Sequence, residues 1–407
     1  RLLYSQKDYS GALKIFNEFE NSSIDPKRVD FYKGRCNYET KNYEQALAAY
    51  ERVLMKEPDN LRVRLELAQT YLKLNLPNEA KKEYNYVLEQ EIPSNVRNNI
   101  EIQLAAIEQS TKRNFINVTA IFGIGYDSNI ENGTDAGQYS VFVPQLNSNT
   151  PIKSQRQIGT MTYEVGAVLN HIYKVNSNFF VKNGGTLYMQ RFQNHNDKDM
   201  QIFSVNTTPT YTKDKNMYSV GLFLDHVWYG HVNYLNNYAV MPKYSRSLSE
   251  TLLYDVYGRY AKKAFYEANQ DRDSNTFEFS NKLSYVNKDF GFFAGQIILG
   301  NEIKTRGQRT DVSRRYYNLR AFNTYNFTTN LLLNTNINYE NYYYQLQDVN
   351  FLNKRHDQKM LYSVGLMSVA TKSLTLNLNA QYIRNLSNQT PFDYDKYIVK
   401  SSLYYSF

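Results

Sequence analysis

The chain has 407 residues, a net charge of +8 and 15% aromatic content that includes 38 tyrosines. That length exceeds one ordinary soluble core, so two domains are expected, and with Cys36 as the single cysteine a disulfide framework and a cysteine metal cluster are excluded. Mean hydropathy is −0.62 and no apolar run of about 18 residues occurs, which excludes a transmembrane helix but not a β-barrel, where only alternate residues meet lipid. Lys and Arg are spread among 39 acidic residues without a basic cluster, so nucleic acid is not an expected partner. The opening on Arg1, with no Met and no signal-like apolar stretch, reads as a mature or trimmed chain.

The first 112 residues carry helical periodicity and an internal repeat. The stretch NYEQALAAYERVLMKEPDN returns 34 residues later as LPNEAKKEYNYVLEQEIPS, mapping Ala46 to Ala80, Tyr50 to Tyr84 and Val53 to Val87. One period earlier stands DYSGALKIFNEFE, with Ala12, Phe16 and Phe19. This pattern resembles the tetratricopeptide repeat, with Gly34 and Ala68 where that family places a small residue so that paired helices approach closely. Whole repeats are expected at 27–60 and 61–94 after a partial one at 1–26, and Ser94–Lys112 is expected to be a capping helix. By the same resemblance, the groove of the stack is lined by Arg28, Phe31, Arg35, Tyr38, Arg62, Leu65, Gln69 and Leu72. Aromatic and arginine side chains there suit an extended peptide or a protein surface.

From Asn114 the texture changes to alternation. In LTLNLNAQY (374–382), Leu374, Leu376, Leu378, Ala380 and Tyr382 share one face, and Thr375, Asn377, Asn379 and Gln381 share the other. Such segments predict fourteen strands, at 114–126, 156–173, 178–193, 200–212, 217–230, 234–247, 251–267, 275–287, 291–305, 314–327, 330–346, 356–370, 374–386 and 394–407. Short connections are expected at 175–177, 214–216, 249–250, 288–290, 328–329 and 371–373. Longer ones are expected at 127–155, 194–199, 231–233, 268–274, 306–313, 347–355 and 387–393. Short turns on one side and long loops on the other, with an even strand count, predict a closed outer-membrane barrel whose two ends open on the periplasm. A propeller would need a repeat of about 40–50 residues, which this region lacks.

The final strand ends on Tyr405 and Phe407, whose aromatic side chains on the lipid face resemble the assembly signal of outer-membrane barrels. Strand parity directs Lys182, Asp255, Arg259, Lys282, Arg320, Glu340, Lys396 and Lys400 into the lumen. They read either as ion pairs stiffening the inner wall or as a lining for a polar passenger. Fourteen strands enclose less space than a 16-stranded porin, so an extended polypeptide or glycan fits better than a folded domain.

Catalytic motifs are missing: the chain has no P-loop, no G-x-S-x-G and no H-E-x-x-H. His226 and His231, five apart on a strand, face opposite ways and make a poor metal pair. YDSNIENGTD (126–135) carries Asp127, Asn129 and Glu131, but Asn132 stands where a calcium loop needs glycine, so a turn-rich loop is expected. Neither an enzyme nor a cofactor is expected.

Helical repeats followed by a fourteen-stranded barrel ending in Phe407 resemble the surface lipoprotein assembly modulators, the Slam family. FGIGYDSNIENGT (122–134) is similar to that family's entry into the barrel, a glycine-spaced strand leading to Tyr-Asp-x-Asn. The resemblance implies a periplasmic repeat domain at 1–112 and an outer-membrane barrel at 113–407, together moving lipoproteins or related secreted proteins to the cell surface. It implies as partners the client, periplasmic chaperones, the barrel-assembly machinery and outer-membrane lipid, around a monomer. The competing expectation is an exopolysaccharide export porin, which also joins such repeats to a barrel.

Overall fold

Helix starts in the N-terminal region follow local chemistry. Asp25 accepts the Lys27 amide at the head of α3 (Pro26–Glu39), and Pro26 stands in the first turn, where its missing N–H costs nothing. Asn60 caps α5 (Leu61–Lys73) by accepting from the Val63 amide at 3.3 Å. The computed structural model describes residues 2–18, 25–154, 157–287 and 291–407. Phe19, the start at 156 expected for the second strand, and the short connection expected at 288–290 lie outside the described residues. The chain divides into two compact units, Arg1–Lys112 and Arg113–Phe407.

The first unit adds α1 (Leu2–Ser5), α2 (Tyr9–Glu18), α4 (Tyr43–Lys56), α6 (Pro77–Leu88) and α7 (Ser94–Thr111). Its repeat is visible in the backbone as well as in the side chains. Lys7, Lys41 and Asn75 adopt left-handed φ values of 63°, 64° and 60°, so the turn between helices recurs at a 34-residue interval. Ala46, Tyr50, Val53, Val63 and Leu67 form one core. Ala68, Ala80, Tyr84, Val87, Ile100 and Ile107 form the next, so α7 covers the second repeat. A Cβ on Gly34 would come within 2.5 Å of the Tyr50 ring, which is why α3 and α4 can approach so closely. Cys36 is fully buried beside this contact, and burial pushes its thiol up to about 11.

In the second unit fourteen strands form a closed antiparallel meander. They are β1 (Asn114–Asp127), β4 (Thr160–Lys174), β5 (Phe179–Phe192), β6 (Met200–Lys213), β7 (Asn216–Tyr229), β8 (Val232–Ser247), β9 (Leu252–Phe265), β10 (Ser274–Asn287), β11 (Gly291–Lys304), β12 (Arg314–Asn326), β13 (Leu331–Gln347), β14 (Lys354–Val369), β15 (Leu374–Ser387) and β16 (Tyr394–Ser406). β1 closes on β16, with Thr119 opposite Ser406 and Asp127 opposite Ile398. Closure leaves no open edge for lipid to meet. Exposed Leu376, Leu378 and Tyr382 alternate with Asn377, Asn379 and Gln381, as a wall between hydrocarbon and water requires.

Short connections at 175–178, 214–215, 248–251, 327–330 and 370–373 lie at the end where β1 begins. The other end holds 128–159, 193–199, 266–273, 305–313, 348–353 and 388–393. Two features depart from expectation there. The loop expected at 231–233 is a two-residue turn, Gly230 and His231 at φ +56° and +68°, whose twist suits a tight hairpin. The first loop contains its own hairpin, β2 (Gln138–Val143) with β3 (Ser148–Lys153).

Gly34→Val should push two methyl groups into the Tyr50 ring and destabilise the helical unit by about 1–3 kcal/mol. Maleimide labelling of Cys36 across a urea series measures this. The variant should label at lower urea while the barrel keeps its heat-modifiable migration; equal midpoints would remove this contact as a packing constraint.

Candidate functional site

The first candidate site is the face shared by α3 and α5, the leading helices of the two whole repeats. Arg28, Arg62 and Gln69 are exposed on it. Phe31 and Tyr38 are half-buried, each with one edge against the Ala46–Tyr50 core. Leu65 and Leu72 similarly lean on the next core, around Ala68 and Ala80. Arg35 is engaged within the protein, its guanidinium 2.6 Å from Glu66 across the two helices. Arg62 lies over the Phe31 ring at 5.0 Å, a cation–π contact that holds both side chains in place.

Residues not foreseen for this face extend it toward the N-terminus. Tyr32 stacks on Phe16 at 5.4 Å with an interplanar angle of 5°, and meets Tyr4 edge-on at 5.4 Å. Tyr4 in turn meets Tyr9 at 5.5 Å. The signal was present, because Phe16 falls in the repeat pattern, but a partial first repeat hides which of its aromatics face the others.

The second candidate site is the barrel lumen. All eight residues expected there lie on strand faces opposite the exposed apolar side chains. Their ion pairs run to residues outside this set. Asp255, 3% exposed, is 3.2 Å from Lys243. Arg259 is 3.3 Å from Glu278, Lys396 is 3.0 Å from Asp127, and Lys400 contacts Glu164. Glu340 accepts from Asn338 and Tyr342, both at 2.8 Å. Lys182 and Lys282 stand over Phe180 and Phe292 at 5.4 and 5.7 Å, and Arg320 Nε is buried without an acceptor.

The densest cluster centres on Glu302, which accepts from Lys263 at 2.7 Å, Ser274 at 2.8 Å and Arg314 at 3.0 Å. Arg314 also donates to the Tyr344 hydroxyl at 3.1 Å, and Tyr316 donates to Glu278 at 2.7 Å. Parity reaches these residues too, since Glu278 shares a strand and a face with Lys282, and Arg314 with Arg320. Their mutual contacts depend on the stagger between strands, which periodicity does not supply.

The loop end is laced together. The Phe142 amide of the hairpin donates to Asn350 O at 2.6 Å, Thr310 donates to Asp348 at 3.3 Å, and Gln389 donates to Asn353 at 2.9 Å. The acidic stretch entering the first loop is engaged within the protein, Asp127 by Lys396 and Glu131 by Lys198 at 3.0 Å each. Asn129 is fully buried, donates to Gly133 O and Asp395 O, and accepts from the Gly133 amide. The histidines act as hydrogen-bonding side chains: His226 contacts Asn236 and Asn233, and His231 lies 3.3 Å from Asp199. Tyr405 and Phe407 are exposed with rings 4.9 Å apart; Phe407 stands just beyond β16, and its amide donates to Val118 O at 2.9 Å.

A helical repeat unit joined to a closed, even-stranded barrel with an apolar outside and a charged inside defines an outer-membrane protein with a periplasmic repeat domain. The family model described as surface lipoprotein assembly modifier matches residues 117–405, and a tetratricopeptide repeat model matches 37–91. The chain belongs to the surface lipoprotein assembly modifier family, whose role is the assembly and translocation of surface lipoproteins. No curated protein matches the chain. Among solved structures, OmpTΔL8, an outer membrane protein of Vibrio cholerae, is similar at 7% identity and a TM-score of 0.42, over 73% of this chain and 100% of that one. PcrH from Pseudomonas aeruginosa is similar at 20% identity and a TM-score of 0.24, over 26% of this chain and 83% of that one. The chaperone SycD of Yersinia enterocolitica, in complex with a peptide of the translocator YopD, is similar at 18% identity and a TM-score of 0.26, over 27% and 87%.

Glu302→Leu should strand Lys263 and Arg314 without a counter-charge and destabilise the barrel by about 3–5 kcal/mol. The temperature at which heat-modifiable migration is lost should fall. An unchanged temperature would mean that lumen water already solvates the cluster.

Proposed function

We propose that this protein delivers particular lipoproteins, or related secreted proteins, to the cell surface, with the helical unit engaging the client or its chaperone and the barrel serving as the conduit. The match of the surface lipoprotein assembly modifier family to nearly the whole barrel carries the reading. Two physical features support it. The α3–α5 face offers Arg28, Arg62 and Gln69 beside aromatic edges, which suits an extended polypeptide carrying acidic and apolar side chains. The inner wall is lined by charged and amide side chains, which suits a polar chain passing through water rather than a lipid tail. The acyl anchor of a lipoprotein would have to stay with the membrane, since burying it in that lumen would desolvate charges without pairing them. Tyr405 and Phe407 are the residues proposed to meet the barrel-assembly machinery. The family match also supports protein over glycan as the passenger.

Two experiments test this reading in cells that co-express a lipoprotein encoded beside the chain. Deleting 1–112 should leave a barrel that inserts and migrates heat-modifiably, while surface labelling of the client falls to background; unchanged display would remove the role given to the repeats. Exchanging both groove arginines, Arg28→Glu with Arg62→Glu, should lower co-purification of the client about tenfold or more, as expected when charges at a binding face are reversed. Co-purification at the original level would place the client elsewhere.

A further inference from the structure

We propose that the middle of the lumen is a docking site for a carboxylate-rich stretch of extended polypeptide. The inference rests on the conduit reading above and names the chemistry of the passenger. Register places Asp255, Lys282, Gln296, Arg320 and Asn338 side by side in one row around the wall. Asp255 is already held by Lys243 at 3.2 Å. Among the described residues, no carboxylate comes within 4.0 Å of Lys282 or Arg320. Lys282 Nζ lies 5.7 Å from the Phe292 ring centroid, and Arg320 Nε is buried without an acceptor. The side-chain amide oxygens of Asn336 and Asn338 are buried without a donor.

The same wall is different toward the loop end. There the carboxylates of Glu278, Glu302 and Asp357 each hold an arginine or lysine, at 3.3, 2.7 and 2.6 Å. Asn323 and Asn336, whose amide oxygens lack a donor, line a cavity of about 460 Å³ together with Lys243, Asp255, Lys282, Phe292 and Phe322. Its charge is positive, two lysines against one carboxylate, with Arg320 one strand beyond Gln296. That volume lies in the range of ligand pockets.

An extended peptide matches each element of this arrangement. A Glu or Asp side chain supplies the acceptors that Lys282 and Arg320 lack, and guanidinium geometry favours a carboxylate. Peptide N–H groups supply donors for the free amide oxygens of Asn336 and Asn338. Phe292 and Phe322 cover side-chain methylenes. A basic segment would face like charges, and an apolar one would desolvate both cations without pairing them. Charge lining a low-dielectric tube also focuses its field along the axis, which raises the local concentration of an anionic chain.

The test uses the full chain in lipid nanodiscs and octaglutamate carrying a neutral fluorophore, followed by anisotropy, with octalysine and octaglutamine as comparisons. Octaglutamate should bind, weaken as salt rises, and lose about tenfold in affinity in Lys282→Gln/Arg320→Gln. Octalysine should not bind. Absence of octaglutamate binding, equal binding of octalysine, or an unchanged affinity in the double variant would each overturn the proposal. Should the double variant fail to insert, Lys282→Glu alone must shift preference from octaglutamate toward octalysine, and no shift overturns the proposal equally. If the client still reaches the surface while octaglutamate does not bind, the passenger chemistry is wrong and the conduit reading stands. If display fails with the unsubstituted chain, the conduit reading itself falls.

Discussion

Every other feature of residues 113–407 depends on one constraint: inside hydrocarbon, each backbone N–H and C=O must find a partner in the protein itself. A sheet meets that demand by closing, and β1 pairing with β16 closes it. Closure then governs the side chains. Because successive residues face opposite ways, a slip of one position would send Lys400 and Glu164 into lipid and Val399 and Val165 into the lumen. The cost of that exchange, summed over fourteen strands, fixes the register more firmly than any single contact could. It also sets the order of events in folding. The β1–β16 seam joins residues as far apart in the chain as Thr119 and Ser406, so its loop-closure entropy is the largest, and local hairpins have every reason to form before it.

The two units solve the stability problem in opposite ways. In the helical unit the buried side chains are largely apolar, with Ala46, Ala68, Ala80, Val53 and Val87 at its centre and Thr70 among them, and burial of such apolar groups is worth roughly 1–3 kcal/mol each. In the barrel the buried side chains are largely polar, among them Thr162, Ser274, Ser280, Asn341 and Asp255, while leucines such as Leu187, Leu299 and Leu378 are exposed. That inversion is why the chain's mean hydropathy is so unrevealing, and why alternation, not average composition, carries the membrane signal.

Much of this was legible in the sequence because both repeats in it are physical periods. The 34-residue interval reflects a helix pair, and it reappears in the left-handed turns at Lys7, Lys41 and Asn75. Alternation along LTLNLNAQY reflects a wall with two solvents. What was not legible depends on contacts between strands distant in sequence. Parity pointed Lys396 inward, but its pairing with Asp127 exists only because the barrel closes with that particular stagger. The hairpin Gln138–Lys153 leaves no such period in the sequence, since its strands are short and lie outside the membrane period, and one leans on Asn350 rather than on a core. The loop expected at 231–233 contracted to Gly230–His231 because two consecutive left-handed residues let β7 and β8 run to their full length. On the helical face, the aromatic run through Tyr4, Phe16 and Tyr32 was obscured by a first repeat with too few positions to compare.

The distribution of charge inside the barrel separates rigidity from permissiveness. Ion pairs at the loop end satisfy one another and hold β9 to β12 together, as Glu302 does by bridging Lys263 on β9 and Arg314 on β12. A wall built that way resists deformation, and its paired charges leave little to offer a passenger. In the middle of the wall Asp255 is matched by Lys243, while among the described residues Lys282 and Arg320 of the same row have no carboxylate within 4.0 Å. Arg320 Nε is buried without an acceptor, a cost that water or a transient polar occupant can offset. A conduit made of paired charges throughout would be stable and inert, and one made of unpaired charges throughout would repel itself. The proposed conduit would then combine a laced loop end with a receptive stretch at mid-lumen.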